Sequence, residues 1–328
     1  MTPLKIKFTD FWQTFDPRDN YFTRLLSSRY KLVQSDDPDL LVYSCFGMDF
    51  MRYRCVRLFY TGENIAPDYR RCDFSLTFDH DGRDGRNFRL PVFLMENDIS
   101  RLTVPKEPDA ALKGKSGFCN FIYTNPRPQE RIRFFNLLSR YKRVDSGGLV
   151  LNNMGGPVAD KPAFISRYKF TIAFESASAP GYTTEKLVEP MLAGSIPIYW
   201  GDPLAGRDFN TGSFINVHDF SGYEAVIGRI QELDSDDEAY RHLFSQPWLN
   251  GNRVPEPLQP AQVLAFMERV IAATRTAIPV AVSTRPSFFD TLACLIYRLK
   301  KRLMNCRWLV VLKQRLTGAR THPLLRGR

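Results

Sequence analysis

The hydrophobic positions of the chain follow two periods. Residues 4–8 (LKIKF) alternate as a half-buried strand does, and residues 21–30 place Phe22, Leu25 and Leu26 at helical spacing. Mainly apolar segments follow at 39–46 (DLLVYSCF), 56–60 (VRLFY), 74–78 (FSLTF) and 90–94 (LPVFL), with Asp, Pro and charged residues between them. Such runs predict strands buried on both faces, as in a mainly parallel sheet covered by helices. After a stretch rich in Pro, Gly and charge at 102–117, the order begins again. Strands are predicted at 118–123 (FCNFIY), 170–174 and 214–217, with helices at 129–141, 235–244 and 260–274. The acids that open the second of these helices and Pro260 at the start of the third are N-terminal signals. The expectation is an α/β protein with two Rossmann-like domains facing a cleft, residues 1–104 and 105–275, and a separate tail, 276–328.

One stretch organises the second half: residues 174–203, FESASAPGYTTEKLVEPMLAGSIPIYWGDP. It leaves a strand, crosses a loop of small residues to Gly181 and Tyr182, and opens a helix at Thr183 or Thr184. The helix closes at Gly194, and an apolar strand follows. The start of a helix has unpaired N–H groups and the positive end of the dipole, so a loop ending there can receive an anion. Glu185 and Lys186 fall in the first turn. A lysine there opposes the dipole unless it faces a bound anion; the alternative is an ordinary capped helix with Lys186 in solvent. Pro190 lies inside the helix, where it should kink or shorten it.

Two other stretches bear candidate groups. In 59–64 (FYTGEN) an apolar strand runs into Thr61 and Gly62 with Glu63 at its end, where open α/β sheets place ligands. Glu63 is then either a general base or a solvated loop carboxylate. In 124–134 (TNPRPQERIRF), Arg131 and Arg133 lie early in a helix on different faces. One of them could clamp a diphosphate together with Lys186, or both could be surface arginines.

Composition changes the picture at one place. The chain has 328 residues and a formal charge of +10, but eleven of its 45 basic residues and one of its 35 acids lie in 285–328, leaving 34 of each elsewhere. The body is neutral and the basicity belongs to the tail. There Phe288, Leu292, Leu295, Leu299, Leu303, Cys306 and Val310 recur every three or four residues up to a stop at Gly318. A cationic amphipathic helix suits an anionic membrane surface; the alternatives are packing on the body and, with no recognition motif present, nucleic acid last. No apolar run approaches the roughly 18 residues of a spanning helix, and residues 1–10 lack the centre of a signal peptide. The expected location is cytoplasmic, peripheral on the inner face of the plasma membrane. Six cysteines without a CxxC pair and four dispersed histidines favour free thiols and no metal site. The pairs Asp79/Asp81 and Asp234/Asp236 are taken as turn and helix-start acids.

Taken together, FYTGEN, CNFIYTNP with Arg131 following, YKFTIAFES at 168–176, YTTEK at 182–186, IPIYWGDP at 196–203 and FINVHDF at 214–220 resemble one family. It is the bacterial α-1,3-fucosyltransferases, inverting enzymes of the two-Rossmann-domain (GT-B) type, and the resemblance spans about residues 5–275. It implies transfer of L-fucose from GDP-β-L-fucose to a glycan hydroxyl such as O3 of N-acetylglucosamine. It implies the acceptor on the N-terminal domain, GDP-fucose on the second, and divalent metal at most stimulatory. By position, Glu63 matches the general base, Arg131 and Lys186 the diphosphate-binding pair, Glu185 the residue that holds the ribose hydroxyls, and Tyr182 the donor-site tyrosine. Ser176 stands where the family commonly has Asn, so a shorter hydroxyl replaces an amide contact to the donor. The segment between FYTGEN and residue 102 is short for the family, which bears on acceptor preference. Other readings within this framework are the same fold with another sugar nucleotide, or a catalytically silent glycan-binding, membrane-associated protein.

Overall fold

The computed structural model describes residues 2–280 and 288–305. These form two compact units: the first holds residues 2–59, 68–73 and the described residues from 271 onward, the second residues 60–67 and 74–270.

The first unit is built on β1 (Thr2–Thr9), β2 (Tyr30–Gln34), β3 (Leu40–Tyr43) and, up to Phe59, β4 (Val56–Tyr60). They run in the order β2-β1-β3-β4, every neighbour parallel. In β1 the alternation is real: Leu4, Ile6 and Phe8 are buried, while Lys5 and Lys7 reach Asp37 and Asp36 at 3.2 and 2.7 Å. β3 and β4 are buried at every position, as their mainly apolar sequences lead one to expect. Arg57, buried within β4, donates to the carbonyls of Tyr53 (2.8 Å) and Arg71 (3.3 Å). The helix expected over 21–30 ends at Leu26, because the chain from Tyr30 is taken into the sheet, Tyr30 opposite Thr2. Its start is a capping box between Asn20 and Thr23.

Helix Phe288–Asn305 belongs to the first unit. One face packs there: Asp290 pairs with Arg71, and the Cys294 thiol meets the Met48 carbonyl at 3.7 Å and the Met51 sulfur at 3.4 Å. Phe288, Phe289, Leu295 and Leu299 stay exposed, Phe288 at 76%. The expected stop at Gly318 and the remainder of the basic tail lie outside the described residues.

The second unit carries the parallel pair β5 (Phe74–Thr77) and β6 (Asn87–Arg89) and a five-stranded sheet. That sheet contains β7 (Gly117–Phe121), β8 (Val144–Ser146), β9 (Tyr168–Phe174), β10 (Ile196–Trp200) and β11 (Ile215–Asn216). Their order is β11-β10-β9-β7-β8, all parallel. A strand was expected over 90–94. Instead the ladder stops with the Leu90 N–H on the Thr77 carbonyl, because Pro91 has no N–H to continue it, and Phe93–Glu96 turns into a short helix. The Pro-rich stretch after residue 102 contains a helix of its own, Pro108–Lys113.

Helix Gln129–Leu138 covers one face of the five-stranded sheet, with Phe134 stacked on Phe174 at 4.9 Å. Through the sheet runs a buried polar chain. Asn120 donates to the Thr171 hydroxyl at 2.7 Å, and that hydroxyl lies 2.8 Å from Ser195 Oγ, linking β7, β9 and the entry to β10. The acidic pairs have structural work: Asp236 caps helix Asp237–Ser245 through the N–H groups of Glu238 and Ala239, and the Asp79 carboxylate accepts from the Asp81 N–H. Cys55, Cys119 and Cys294 are free thiols.

Arg89 and Asp208 form an ion pair at 2.6 Å with side chains 12% and 8% exposed, and Arg89 also donates to the Phe78 carbonyl. Removing one partner strands the other charge in a poorly solvated place. Asp208→Ala is therefore expected to lose about 3 kcal/mol of stability, measured as a lowered denaturant midpoint. A midpoint equal to that of the parent would show that Arg89 finds water instead.

Candidate active site

The 174–203 stretch forms a strand–loop–helix–strand unit held from inside. The β9–β10 ladder runs one residue past Phe174: the Glu175 N–H donates to the Trp200 carbonyl at 2.8 Å. The Glu175 side chain thereby turns beneath the loop, where it is fully buried. Its Oε1 accepts the Thr184 N–H and, with Oε2, the Thr184 hydroxyl, all at 2.8 Å. Thr184 caps helix Glu185–Leu192, its oxygen facing the Lys186 N–H at 3.4 Å. A carboxylate at a helix N-terminus also answers the dipole.

Asp202 anchors the other side of the loop. Fully buried, it accepts from the N–H groups of Gly181 and Leu204, both at 2.7 Å, and from the Thr183 hydroxyl at 3.0 Å. Two glycines permit this closeness. Gly181 has φ +82°, and a Cβ there would stand 2.4 Å from the Phe78 carbonyl oxygen. At Gly201 a Cβ would meet Glu175 Cγ at 2.3 Å. The helix does not end at Pro190; it runs on to Leu192 and closes with Gly194 at φ +69°.

Lys186 Nζ is surrounded by three acceptors: Glu185 Oε1 at 2.9 Å, Thr184 Oγ1 at 3.0 Å and Glu175 Oε2 at 3.4 Å. Burial opposes its charge, but Glu175 and Glu185 outweigh burial and hold the ammonium above its ordinary pKa. For Glu185 burial pushes up and Lys186 pulls down harder, leaving the carboxyl below its usual range. Glu175 goes the other way: complete burial pushes it up to about 7 despite Lys186.

Arg131 sits on helix Gln129–Leu138, 2% exposed, with its guanidinium carbon 4.1 Å from the Tyr123 ring centroid. Its Nε and Nη2 are buried without a hydrogen-bond partner among the described residues. Leaving buried guanidinium nitrogens unpaired is costly. Tyr123 is fixed by the Phe174 N–H, which donates to its hydroxyl at 2.7 Å, and by the Ile172 carbonyl, which accepts at 2.9 Å. Burial pushes that hydroxyl up, and Arg131 and Lys186 both pull it down, so the two cations lie within electrostatic reach of one atom. Arg133 is exposed and lies over Tyr223; of the two arginines only Arg131 joins Lys186.

Ser176 Oγ lies 3.1 Å from the Tyr182 hydroxyl, and the Tyr182 ring meets Phe78 edge-on at 5.1 Å. Tyr182 is 3% exposed, and burial pushes its hydroxyl up to about 12, with Glu63 among the charges acting on it. Glu63 is exposed, its N–H held on the Thr61 hydroxyl at 2.9 Å. Glu63, Arg131, Ser176, Tyr182, Glu185 and Lys186 thus all belong to the second unit. Sequence reasoning passed over Glu175, Asp202 and Tyr123. The first two carried a usable signal, an acid directly following an apolar strand or one residue beyond it; Tyr123 reads as core.

An α/β unit with parallel sheets, two cations and a helix N-terminus gathered beside a strand end is the architecture of proteins that hold phosphorylated substrates. The sequence matches the profile of the α-(1,3)-fucosyltransferase FucT N-terminal domain over residues 6–96 and that of the glycosyltransferase family 10 (fucosyltransferase) C-terminal region over 112–265. It is 31% identical to the α-(1,3)-fucosyltransferase FucT of Helicobacter pylori over 292 residues, 76% of this chain and 61% of that one. The chain therefore spans about three-fifths of that relative's length. An α1,3-fucosyltransferase crystal structure superposes with a TM-score of 0.75 at 27% identity, covering 83% of this chain and 90% of that one. A crystal structure of α1,3-fucosyltransferase with GDP-fucose gives 0.71 at 27% identity, covering 82% and 90%. The chain belongs to the α-1,3-fucosyltransferase family, glycosyltransferase family 10.

Because Gly201 makes room for Glu175, Gly201→Ala is expected to cost about 1–3 kcal/mol and to weaken GDP binding as the helix start shifts. Calorimetric titration with GDP beside a denaturation curve checks both. Unchanged values would show that Glu175 can retreat.

Proposed function

We propose that this protein transfers L-fucose from GDP-β-L-fucose to a hydroxyl of a glycan acceptor, O3 of an N-acetylglucosamine unit as in N-acetyllactosamine, with inversion at the anomeric carbon. The observation that carries the reading is the pair of unpartnered, buried Arg131 nitrogens in a site shared with Lys186 and a helix N-terminus. A diphosphate would satisfy the Arg131 nitrogens and be attracted by the other two. Family membership and the GDP-fucose complex of a related structure supply the sugar nucleotide.

In this reading Glu63 takes the proton of the acceptor hydroxyl while that oxygen attacks the anomeric carbon and GDP leaves from the opposite face. Its exposure suits a base that must meet an incoming substrate. Arg131 and Lys186 stabilise the charge developing on the leaving diphosphate, the work a metal does elsewhere, so turnover is expected to persist in EDTA with divalent metal at most stimulatory. Glu185 receives the ribose hydroxyls, and Ser176, backed by Tyr182, offers a hydroxyl to the donor. Residues 1–104 take the acceptor and 105–275 the donor. Synthesis of surface polysaccharide or lipopolysaccharide is the setting that such an acceptor suggests.

The exposed Phe288, Phe289, Leu295 and Leu299 favour a peripheral place on an anionic membrane, through residues 285–328, on the cytoplasmic side. Among the described residues no helix is long and apolar enough to cross a membrane.

Incubation with GDP-fucose and type 1, type 2 and chitobiose acceptors, with the linkage read by NMR, tests the activity; no transfer to any glycan would overturn it. Glu63→Gln is expected to keep donor affinity and lower kcat by about 10²–10⁴, and loss of donor binding instead would remove the base assignment. Lys186→Ala is expected to weaken GDP binding itself. Phe288→Ser with Phe289→Ser should release the protein from phosphatidylserine vesicles at unchanged turnover of a soluble acceptor; continued sedimentation with vesicles would refute the tail contact.

A further inference from the structure

We infer that binding of the donor's diphosphate is coupled to uptake of one proton by Glu175, which makes this carboxyl a proton-linked positioning residue for Lys186. The inference rests on the GDP-fucose reading above and concerns how that site accepts its charge.

An ammonium has three protons to donate, and the three acceptors around Lys186 Nζ account for all of them. A diphosphate oxygen that bonds Nζ must displace one. The Glu175 contact, at 3.4 Å, is the longest of the three and the one with least to lose, because both Glu175 oxygens keep the Thr184 hydroxyl and Oε1 keeps the Thr184 N–H. Releasing it leaves a fully buried carboxylate facing an added dianion. Burying an unpaired charge costs far more than taking a proton near neutral pH, so the group neutralises. Burial already holds the free carboxyl up at about 7, and the dianion moves it further in the same direction.

The other ionisable groups nearby do not replace it. Glu185 keeps Lys186 at 2.9 Å and is held low. Tyr123, Tyr182 and Tyr199 are pushed up by burial and stay neutral. Asp202 is occupied by three donors of its own loop. His218, whose Nε2 lies 3.2 Å from the Gly201 carbonyl, is the remaining candidate.

The sign follows from linkage. Glu175 is ionised when free above about pH 7 and protonated when the donor is bound, so donor affinity falls as pH rises, by at most about tenfold per unit for one proton. GDP-fucose is the probe, since both of its phosphates are esterified and carry no titrating proton near pH 8. Calorimetric titration with GDP-fucose at pH 8, in buffers of different protonation enthalpy, reads the protons taken up per site. Wild type is expected to take up a substantial fraction of one proton, and Glu175→Gln none, with an affinity that no longer changes between pH 7 and 9. Infrared difference spectra of the wild type should also gain a carboxylic-acid carbonyl band on GDP-fucose binding, a readout that needs no variant. Binding without proton uptake or without the new band overturns the inference while leaving the donor assignment standing. Uptake that persists in Glu175→Gln overturns it in favour of another group such as His218. Absence of any binding heat overturns the GDP-fucose reading and this inference with it.

Discussion

The Glu175 carboxylate is buried beneath a helix start, and most of the site depends on how that charge is met. In that position an isolated carboxylate would be far too costly to keep. The Thr184 N–H and hydroxyl, the helix dipole and Lys186 meet it, and in doing so they fix where the helix begins and where the ammonium points. Gly201 is the geometric condition for the arrangement, since no side chain fits between β10 and Glu175. Asp202 does the corresponding work for the loop, pairing the Gly181 and Leu204 N–H groups.

Seen from that carboxylate, the site consists of balanced opposites with one charge left over. Lys186 is compensated by Glu175 and Glu185, and Tyr123 is tied to the backbone of β9. The Arg131 guanidinium alone keeps two buried nitrogens unanswered among the described residues. Leaving them so spends stability, which under the proposed function a diphosphate would recover.

The fold was legible where burial imposed a pattern. The apolar runs of β3, β4 and β9 announce strands covered on both faces, and all three lie where the runs are. Local chemistry was equally plain at Asp236, which caps its helix, and at Gly194, whose positive φ closes the helix that Pro190 does not break. Failures came where a neighbour decided. Residues 90–94 are apolar enough for a strand, but Pro91 ends the ladder there. Tyr30 has helical spacing from Phe22 and Leu26, but pairing with Thr2 recruits it to the sheet.

For the site the division is similar. The sequence alone determined that 174–203 forms a strand, a loop of small residues and a helix with Lys186 in its first turn, because capping, glycine and apolar period are properties of adjacent residues. It could not choose between an anion site and an ordinary capped helix, nor between Arg131 and Arg133. Only the tertiary structure separated the two arginines. It turned Glu175 inward under Thr184, set Arg131 on the Tyr123 ring and left Arg133 exposed. Burial decides what a charge is worth, and burial arises from residues far apart in the chain.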